Sequence, residues 1–314
     1  MTRATFLLPA AERFGQQRLG DTAARALGRA DRAATGEGGR RAQVLRHFEL
    51  VPRHWPIAAL ARRHDAGDAA DAAWLRADPA HARPDINGVR LLAYGDALAL
   101  TDDDVAALLP ALRPLFGDAG FALDAATPSH WYLRLPIATK LPAFADPGDA
   151  LGGDLFDHLA DGPEGRRWRA LLSDAQVALH NHPWNARRAQ QGRPTVNSLW
   201  FWGGGTLPDV VRSRHAAVHS DDEAARVLAS AADATVGAPL PPRFATASDD
   251  DLFDLQGERD LARLQHDWLL PAIDALARGT LRQLELDAED GRVFVLARRQ
   301  RWRFWRQPLQ RFGE

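Results

Sequence analysis

The chain of 314 residues contains no cysteine. Disulfides, thiolate metal sites and thiol nucleophiles are therefore excluded from its fold and its chemistry. Lysine is almost as scarce, because the 39 Lys and Arg residues include a single lysine, Lys140. Methionine occurs once and tyrosine twice. With its abundance of alanine, this bias fits a GC-rich bacterial genome, so the missing cysteines say little about redox compartment. Charge of one sign is lacking too. Basic residues balance 41 Asp and Glu to a net charge of −2, and no basic field covers the whole molecule. Nucleic acid is thus not the expected partner. No apolar run approaches the ~18 residues that span a bilayer, and Phe6-Leu7-Leu8 is too short for a signal segment. A cytoplasmic protein with no membrane partner is the expectation. Internal repeats are absent as well.

The remainder has a globular profile, 46% hydrophobic and 25% charged, long enough for one large domain or two modest ones. Thr5 to Leu8 reads as a buried strand closed by Pro9. Gln43 to Leu50 fits either a helical turn or a strand. A helix is expected from Pro56 to Gly67. Thr101, followed by Asp102, Asp103 and Asp104, is a helix start, with Val105, Leu108, Leu109, Leu112 and Leu115 on one face. Residues 89–93 and 97–100 read as a hairpin, and 121–123 with 131–135 as two further strands. Helices are expected at 168–179, from Asp221-Asp222-Glu223 to Ala231, and at 261–277 with a kink at Pro271. Strands at 281–286 and 292–303 close the chain. This pattern predicts an α/β (or α+β) class with a mixed sheet flanked by helices. The loop 139–153 suggests an N-terminal region, 1–138, and a C-terminal region, 154–314, or one intertwined domain.

The densest stretch is LHNHPWNARRAQQGRPTVNSLWFWGGGTLP, residues 179–208. The pattern ends a helix at His180, with Pro183 as its stop, and leaves His182, Asn185 and Arg188 in the connection. A strand, Val196 to Trp202, then runs into Gly203, Gly204 and Gly205. Ligands of open α/β sheets sit off the carboxyl ends of strands, and glycine lets backbone approach them. His180, His182, Asn185, Arg188, Asn197, Trp202 and Gly203 to Gly205 are thus candidate ligand residues for a small anion, a phosphate or carboxylate. Arg188 would supply the planar fork. Three plainer readings stand beside this: structural histidines, asparagines bracing the loop, and core tryptophans. Asp78 and His81, in a turn at Asp78-Pro79, are secondary candidates. His215 and His219 read as a solvated pair. The end of the chain, RRQRWRFWR (298–306), fits an edge strand with Trp302 and Phe304 in the core. The alternative is a guanidinium–aromatic contact for an anion or nucleic acid. G-x-S-x-G, H-E-x-x-H, G-x-G-x-x-G and phosphate-loop motifs are missing, and no cofactor or metal is expected.

WLRADPAH (74–81), WYLRLP (131–136), the 179–208 stretch and WRFWR (302–306) together resemble a bacterial family called regulatory protein, RpfE type, often labelled phosphoglycerate mutase. Within it, His182, Pro183, Asn185, Arg188, Gly192, Asn197, Trp202, Gly203 and Gly205 are similar to a segment of the archaeal-type, cofactor-independent phosphoglycerate mutases of the alkaline-phosphatase superfamily. That resemblance implies a shared α/β segment. Those mutases use two metal ions, a Ser or Thr nucleophile, Asp/His ligands, and an Asp-Gly pair after the first strand. Here Leu7-Leu8 is followed by Pro9-Ala10-Ala11, and the C-terminal half shows no matching ligand cluster. The expectation is a non-catalytic regulatory or anion-sensing protein. A metal-dependent mutase or phosphatase, with His180, His182 and Asp78 or His81 as substitute ligands, is the competing enzyme. A protein-interaction module built on exposed tryptophans is the third reading.

Overall fold

The computed structural model describes residues 2–34, 37–85, 88–232 and 235–313. Among them are fourteen strands: β1 (Arg3–Leu8), β2 (Asp31–Ala34), β3 (Phe48–Val51), β4 (Ala73–Asp85), β5 (Gly88–Tyr94), β6 (Ala122–Ala125), β7 (Trp131–Leu135), β8 (Ser198–Gly205), β9 (Val210–Ser213), β10 (Ala217–His219), β11 (Val236–Ala238), β12 (Asp250–Asp254), β13 (Gln283–Ala288) and β14 (Arg292–Ala297). Two compact units divide the chain, residues 1–52 with 209–314, and residues 53–208. The class is mixed α/β, as the sequence pattern predicts. The division does not fall at the 139–153 loop, which lies inside the second unit and adds Leu141 and Phe144 to its core. The cause is the partnering of β1, which hydrogen-bonds to two strands from the far end of the chain.

In the first unit a seven-stranded sheet runs in the order β11-β10-β12-β1-β13-β14-β2. β1 lies parallel between β12 (Arg3↔Asp250 to Leu7↔Asp254) and β13 (Arg3↔Gln283 to Leu8↔Ala288). β10 and β11 continue the parallel set, while β14 and β2 are antiparallel at the other edge. β1 is buried from Ala4 to Leu8 because both faces of the sheet are covered. Phe6 is fully buried, with the rings of Phe244, Phe253 and Trp268 at 5.6–5.7 Å. The segment from 261 to 278 is helical throughout, with a π turn at Gln265–Leu269 just ahead of Pro271. Proline has no N–H to donate backward. The Asp267 carbonyl accepts instead from the Phe244 N–H at 2.8 Å, which ties the helix to a loop.

The second unit is built on β4, thirteen residues long, which pairs antiparallel with β5, β7 and β8, while β6 pairs with β7. The helix Asp102–Asp118 begins with the expected cap, the Thr101 N–H donating to Asp104 Oδ2 at 2.9 Å. It packs with the helix Gly162–His180 over Leu75, Trp131, Leu199 and Phe201. Two local expectations change. Residues 97–100 do not form a strand, because Gly95–Leu98 is a 3₁₀ turn and β5 finds its hairpin partner in β4. Asp78-Pro79 is not a turn but the interior of β4, opposite Trp200 and Leu199 of β8.

Removing the Phe6 ring leaves a cavity among three aromatics that cannot collapse onto it. Phe6→Ala is expected to cost about 3–5 kcal/mol of unfolding free energy. Urea denaturation followed by tryptophan fluorescence measures it, and a loss below about 1 kcal/mol would show that β1 is not the core strand described.

Candidate functional site

The 179–208 stretch forms one connected scaffold in the second unit. His182 is not in a loop; it caps a short helix, Pro183–Gln190, its Nδ1 accepting the Trp184 N–H at 3.2 Å. Proline at the first helical position explains why the chain restarts there. Asn185 is buried, donates to the carbonyls of Leu179 and Val196 at 2.8 Å, and accepts the Val196 N–H at 2.8 Å. Asn197 clasps both backbone groups of Ala82, at 2.8 and 2.7 Å. Each asparagine thus imitates a strand partner where regular pairing ends.

Arg188 is buried to 1% exposure beside Asp104 at 0%, with Nη1 to Oδ2 at 2.8 Å. Its Nε donates to the Pro194 carbonyl and its Nη2 to the Leu98 carbonyl, both at 2.8 Å. Asp104 also accepts from Trp184 Nε1 at 2.7 Å and Arg193 at 2.9 Å. Burial alone would raise the Asp104 pKa, but Trp184, Arg188 and the Thr101 N–H outweigh it and hold the carboxyl far below the ordinary range. The fork expected to grip an anion therefore grips Asp104, and the stretch reads as bracing.

The glycines serve close approach within the chain. Gly203 has φ +67°, and a Cβ there would lie 3.1 Å from the Ala58 N; at Gly204 it would meet Leu141 at 2.5 Å. Trp200 and Trp202 are buried, and Trp202 Nε1 donates to Asp78 Oδ2 at 2.7 Å. Asp78 also accepts from Arg76 Nε at 2.8 Å, both residues at 1% exposure. His81 instead faces the Thr195 carbonyl, 2.9 Å from Nδ1, while His180 is exposed at a helix end. His180, His182, Asp78 and His81 do not converge. Among the described residues no group of three His, Asp or Glu is placed to hold a metal ion. The residues therefore do not fit the two-metal centre that the resemblance implies.

The cluster that sequence reading missed lies in the first unit, off the carboxyl ends of its parallel strands. Ser220 after β10, Asp254 ending β12, Gln256 beyond it and Gln43 are all buried. Gln43 Nε2 donates to the carbonyls of Leu8 and Asp287 at the ends of β1 and β13, at 3.0 and 2.5 Å. Gln256 Nε2 donates to Gln43 Oε1, and Gln256 Oε1 has no hydrogen-bond partner among the described residues. Asp254 accepts from Ser220 Oγ at 2.7 Å and from the Gln256 N–H at 3.1 Å. Burial, then the charge of Asp222, push its pKa above the ordinary value. Around this core stand three arginines. Arg40 pairs with Asp222 at 2.7 Å, Arg13 lies 3.9 Å from Glu289, and Arg259 donates to the carbonyls of Gln256 and Glu258 at 2.7 Å. Partial burial, then the charge of Arg13, lower the Arg259 pKa, with Glu289 opposing them. The arginines offer guanidinium donors to an anion, and the orphan acceptor of Gln256 would take a hydroxyl donor. In sequence these residues are scattered singly over 13–289, with no motif to collect them.

A second buried chain links Asp287, His47, His215 and Asp250. His47 Nε2 is 2.9 Å from Asp287, His47 Nδ1 is 3.0 Å from His215 Nε2, and His215 Nδ1 is 3.1 Å from Asp250. His215 is 2% exposed, which corrects the reading of a solvated pair. Burial would raise both carboxyl pKa values, but the histidine bonds, with Arg46 at Asp287, hold them below the ordinary range. Burial holds the His215 pKa below its ordinary value, against the hydrogen bond to Asp250.

No family model matches the chain. A segment of 62 residues is 37% identical to the probable 2,3-bisphosphoglycerate-independent phosphoglycerate mutase of Geobacter sulfurreducens. The 2,3-bisphosphoglycerate-independent phosphoglycerate mutase of Methanosarcina barkeri is 36% identical over 62 residues. Each match covers 20% of this chain and 16% of the relative, so the chain spans a small part of the curated relatives it matches. Among solved structures, the cofactor-independent phosphoglycerate mutase of Thermoplasma acidophilum aligns with 94% of this chain and 89% of its own, at 15% identity and a TM-score of 0.40. The PH0037 protein of Pyrococcus horikoshii aligns with 94% and 87%, at 10% identity and a TM-score of 0.43.

Two outcomes follow from these carboxyl groups. Arg188→Ala strands the buried Asp104 charge and should cost about 3–5 kcal/mol. Because the folded Asp104 pKa is depressed, its stabilisation is present above the unfolded value of about 3.9 and is lost as pH falls toward the folded value. The variant should therefore show a shallower acid decline, measured by thermal melts across pH. Asp254 has the opposite sign. Its folded pKa is raised, so stability is lost as pH climbs past about 3.9 toward the folded value. Asp254→Asn should gain on the native protein over that climb, and a pH-independent difference in melting temperature would contradict the raised pKa.

Proposed function

We propose that the protein is a non-catalytic regulatory or ligand-sensing relative of the cofactor-independent phosphoglycerate mutases. It binds a small hydroxylated anion, bearing phosphate or carboxylate, at the strand ends of the first unit. The observation that carries this reading is the buried Ser220–Asp254–Gln256–Gln43 cluster, with its unpartnered Gln256 Oε1, beneath the Arg13, Arg40 and Arg259 rim. The edge chosen is where open α/β sheets bind ligands. Arginine at the rim supplies charge without needing a metal, and the amide acceptor selects a ligand with a hydroxyl beside its anionic group. The lack of a three-residue metal cluster among the described residues supports binding without two-metal phosphoryl transfer.

A mutase remains the second reading, favoured by the 62-residue likeness to the Geobacter enzyme. Titration calorimetry with 3-phosphoglycerate and with inorganic phosphate separates the two. The proposal expects 3-phosphoglycerate to bind more tightly than phosphate, Arg259→Ala to weaken it about tenfold, and no 2-phosphoglycerate to form with added Mg²⁺ or Mn²⁺. Turnover would establish the mutase, and equal affinity in the variant would remove the site.

A further inference from the structure

Residues 298–306 carry five arginines and three aromatic residues in nine positions. The pattern places Trp302 and Phe304 in the core beneath an edge strand, and the structure reverses this. After Ala297 the chain leaves the sheet as a 3₁₀ helix, Arg298–Trp302, and Trp302, Phe304 and Trp305 are 66%, 80% and 66% exposed. The corner is anchored on both sides. Gln300 is buried and donates to Asp31 Oδ2 and the Val295 carbonyl, each at 2.9 Å. Arg303 donates to the Arg29 carbonyl at 3.0 Å. The chain re-enters the core at Leu309, whose N–H donates to the Ala24 carbonyl at 2.9 Å. Gly28 permits the return, since a Cβ there would lie 2.1 Å from the Gln307 carbonyl oxygen. The aromatic side chains are thus held outward by a fixed frame.

Beside this corner opens a cavity of about 210 Å³, with Arg25, Arg29, Arg298 and Arg301 in its walls and Ile273 and Leu276 among its apolar lining. Arg29 Nε is buried with no hydrogen-bond partner among the described residues. Guanidinium walls over an apolar lining, next to protruding Trp and Phe, suit one chemistry: an anionic head on a hydrocarbon body.

We infer that this face docks on an anionic lipid surface. Trp302, Phe304 and Trp305 enter the headgroup level, where amphipathic rings settle. Arg298, Arg299, Arg301 and Arg306 meet the lipid phosphates, and the cavity receives one headgroup with the start of its chain. A single-stranded nucleic acid fits less well, because successive bases need a row of open ring faces. Here Phe304 and Trp305 meet edge to face (5.4 Å, 82°), and the Arg301 guanidinium lies 4.8 Å from the Trp302 ring centroid.

The test is co-sedimentation of the full chain with vesicles of equal parts phosphatidylglycerol and phosphatidylcholine, and with phosphatidylcholine alone. Binding is expected to the anionic vesicles only, unchanged from mildly acidic to mildly alkaline pH because arginine does not titrate. It should fall steeply at ~1 M salt. Arg298→Gln and Arg301→Gln should each weaken it about fivefold. Trp302→Ala with Trp305→Ala should abolish the blue shift of tryptophan emission on binding while the melting temperature holds. Equal binding to neutral vesicles, or binding to neither, would overturn the inference. So would capture of an oligothymidylate with no vesicle binding, or a concentration-dependent dimer that the tryptophan variants dissolve.

Discussion

The placement of β1 between β12 and β13 is the interaction on which the first unit depends. It joins residues 3–8 to residues 250–254 and 283–288. Closing so long a loop costs conformational entropy that grows only slowly with its length. Burial of Ala4 to Leu8, with Phe6 at the centre, offsets that cost. Parallel pairing also aligns the carboxyl ends of β1, β12, β13 and β10 at one edge. That edge is where Gln43 bridges the Leu8 and Asp287 carbonyls and where Asp254 meets Ser220. The candidate site is a by-product of register: a one-residue slip of β1 would carry the carbonyls away from Gln43.

Among the described residues most buried polar groups in both units find a partner, and Arg188 Nη1, without a hydrogen bond, has its ion pair with Asp104. Asp104 holds Arg188 and Arg193, Asp78 holds Arg76 and Trp202, and Asn185 and Asn197 close gaps in backbone pairing. The polar density of the 179–208 stretch is explained by this demand, because a helix restarting at Pro183 and a strand beginning at Ser198 leave backbone groups that something must satisfy. Against that background the exceptions gain weight. Gln256 Oε1 and Arg29 Nε are buried without partners among the described residues. One marks the strand-end cluster and the other the arginine-walled cavity.

Arginine serves differently in these places. Beside Asp104 its fork is enclosed and only braces the fold, whereas Arg13, Arg40 and Arg259 form a rim that solvent reaches. At 298–306 it stands among exposed rings. With one lysine in the chain, nearly every cationic task falls to the same side chain, so residue type alone cannot separate these roles. Burial and partner do.

Local chemistry legible in the sequence came out in the structure: the Thr101 cap, the helices ending near 180 and beginning at 223, the disturbance before Pro271, and a strand read at 196–202, which in fact starts at Ser198 and takes in the three glycines to Gly205. These depend on residues within a few positions of one another, so caps, prolines and apolar spacing suffice. The α/β class followed from the same signals. What the sequence could not settle were matters of distant partnership. Asp78-Pro79 reads as a turn until β8 pairs across it, Arg188 reads as a ligand fork until Asp104 arrives, and the aromatics of 302–305 read as core until the 3₁₀ helix turns them outward. The strand-end cluster draws on residues from 13 to 289, brought together by the pairing of β1. Sequence determined the elements, because propensity and capping are local. Tertiary structure decided which polar side chains were left for function, because only packing reveals which of them are already taken.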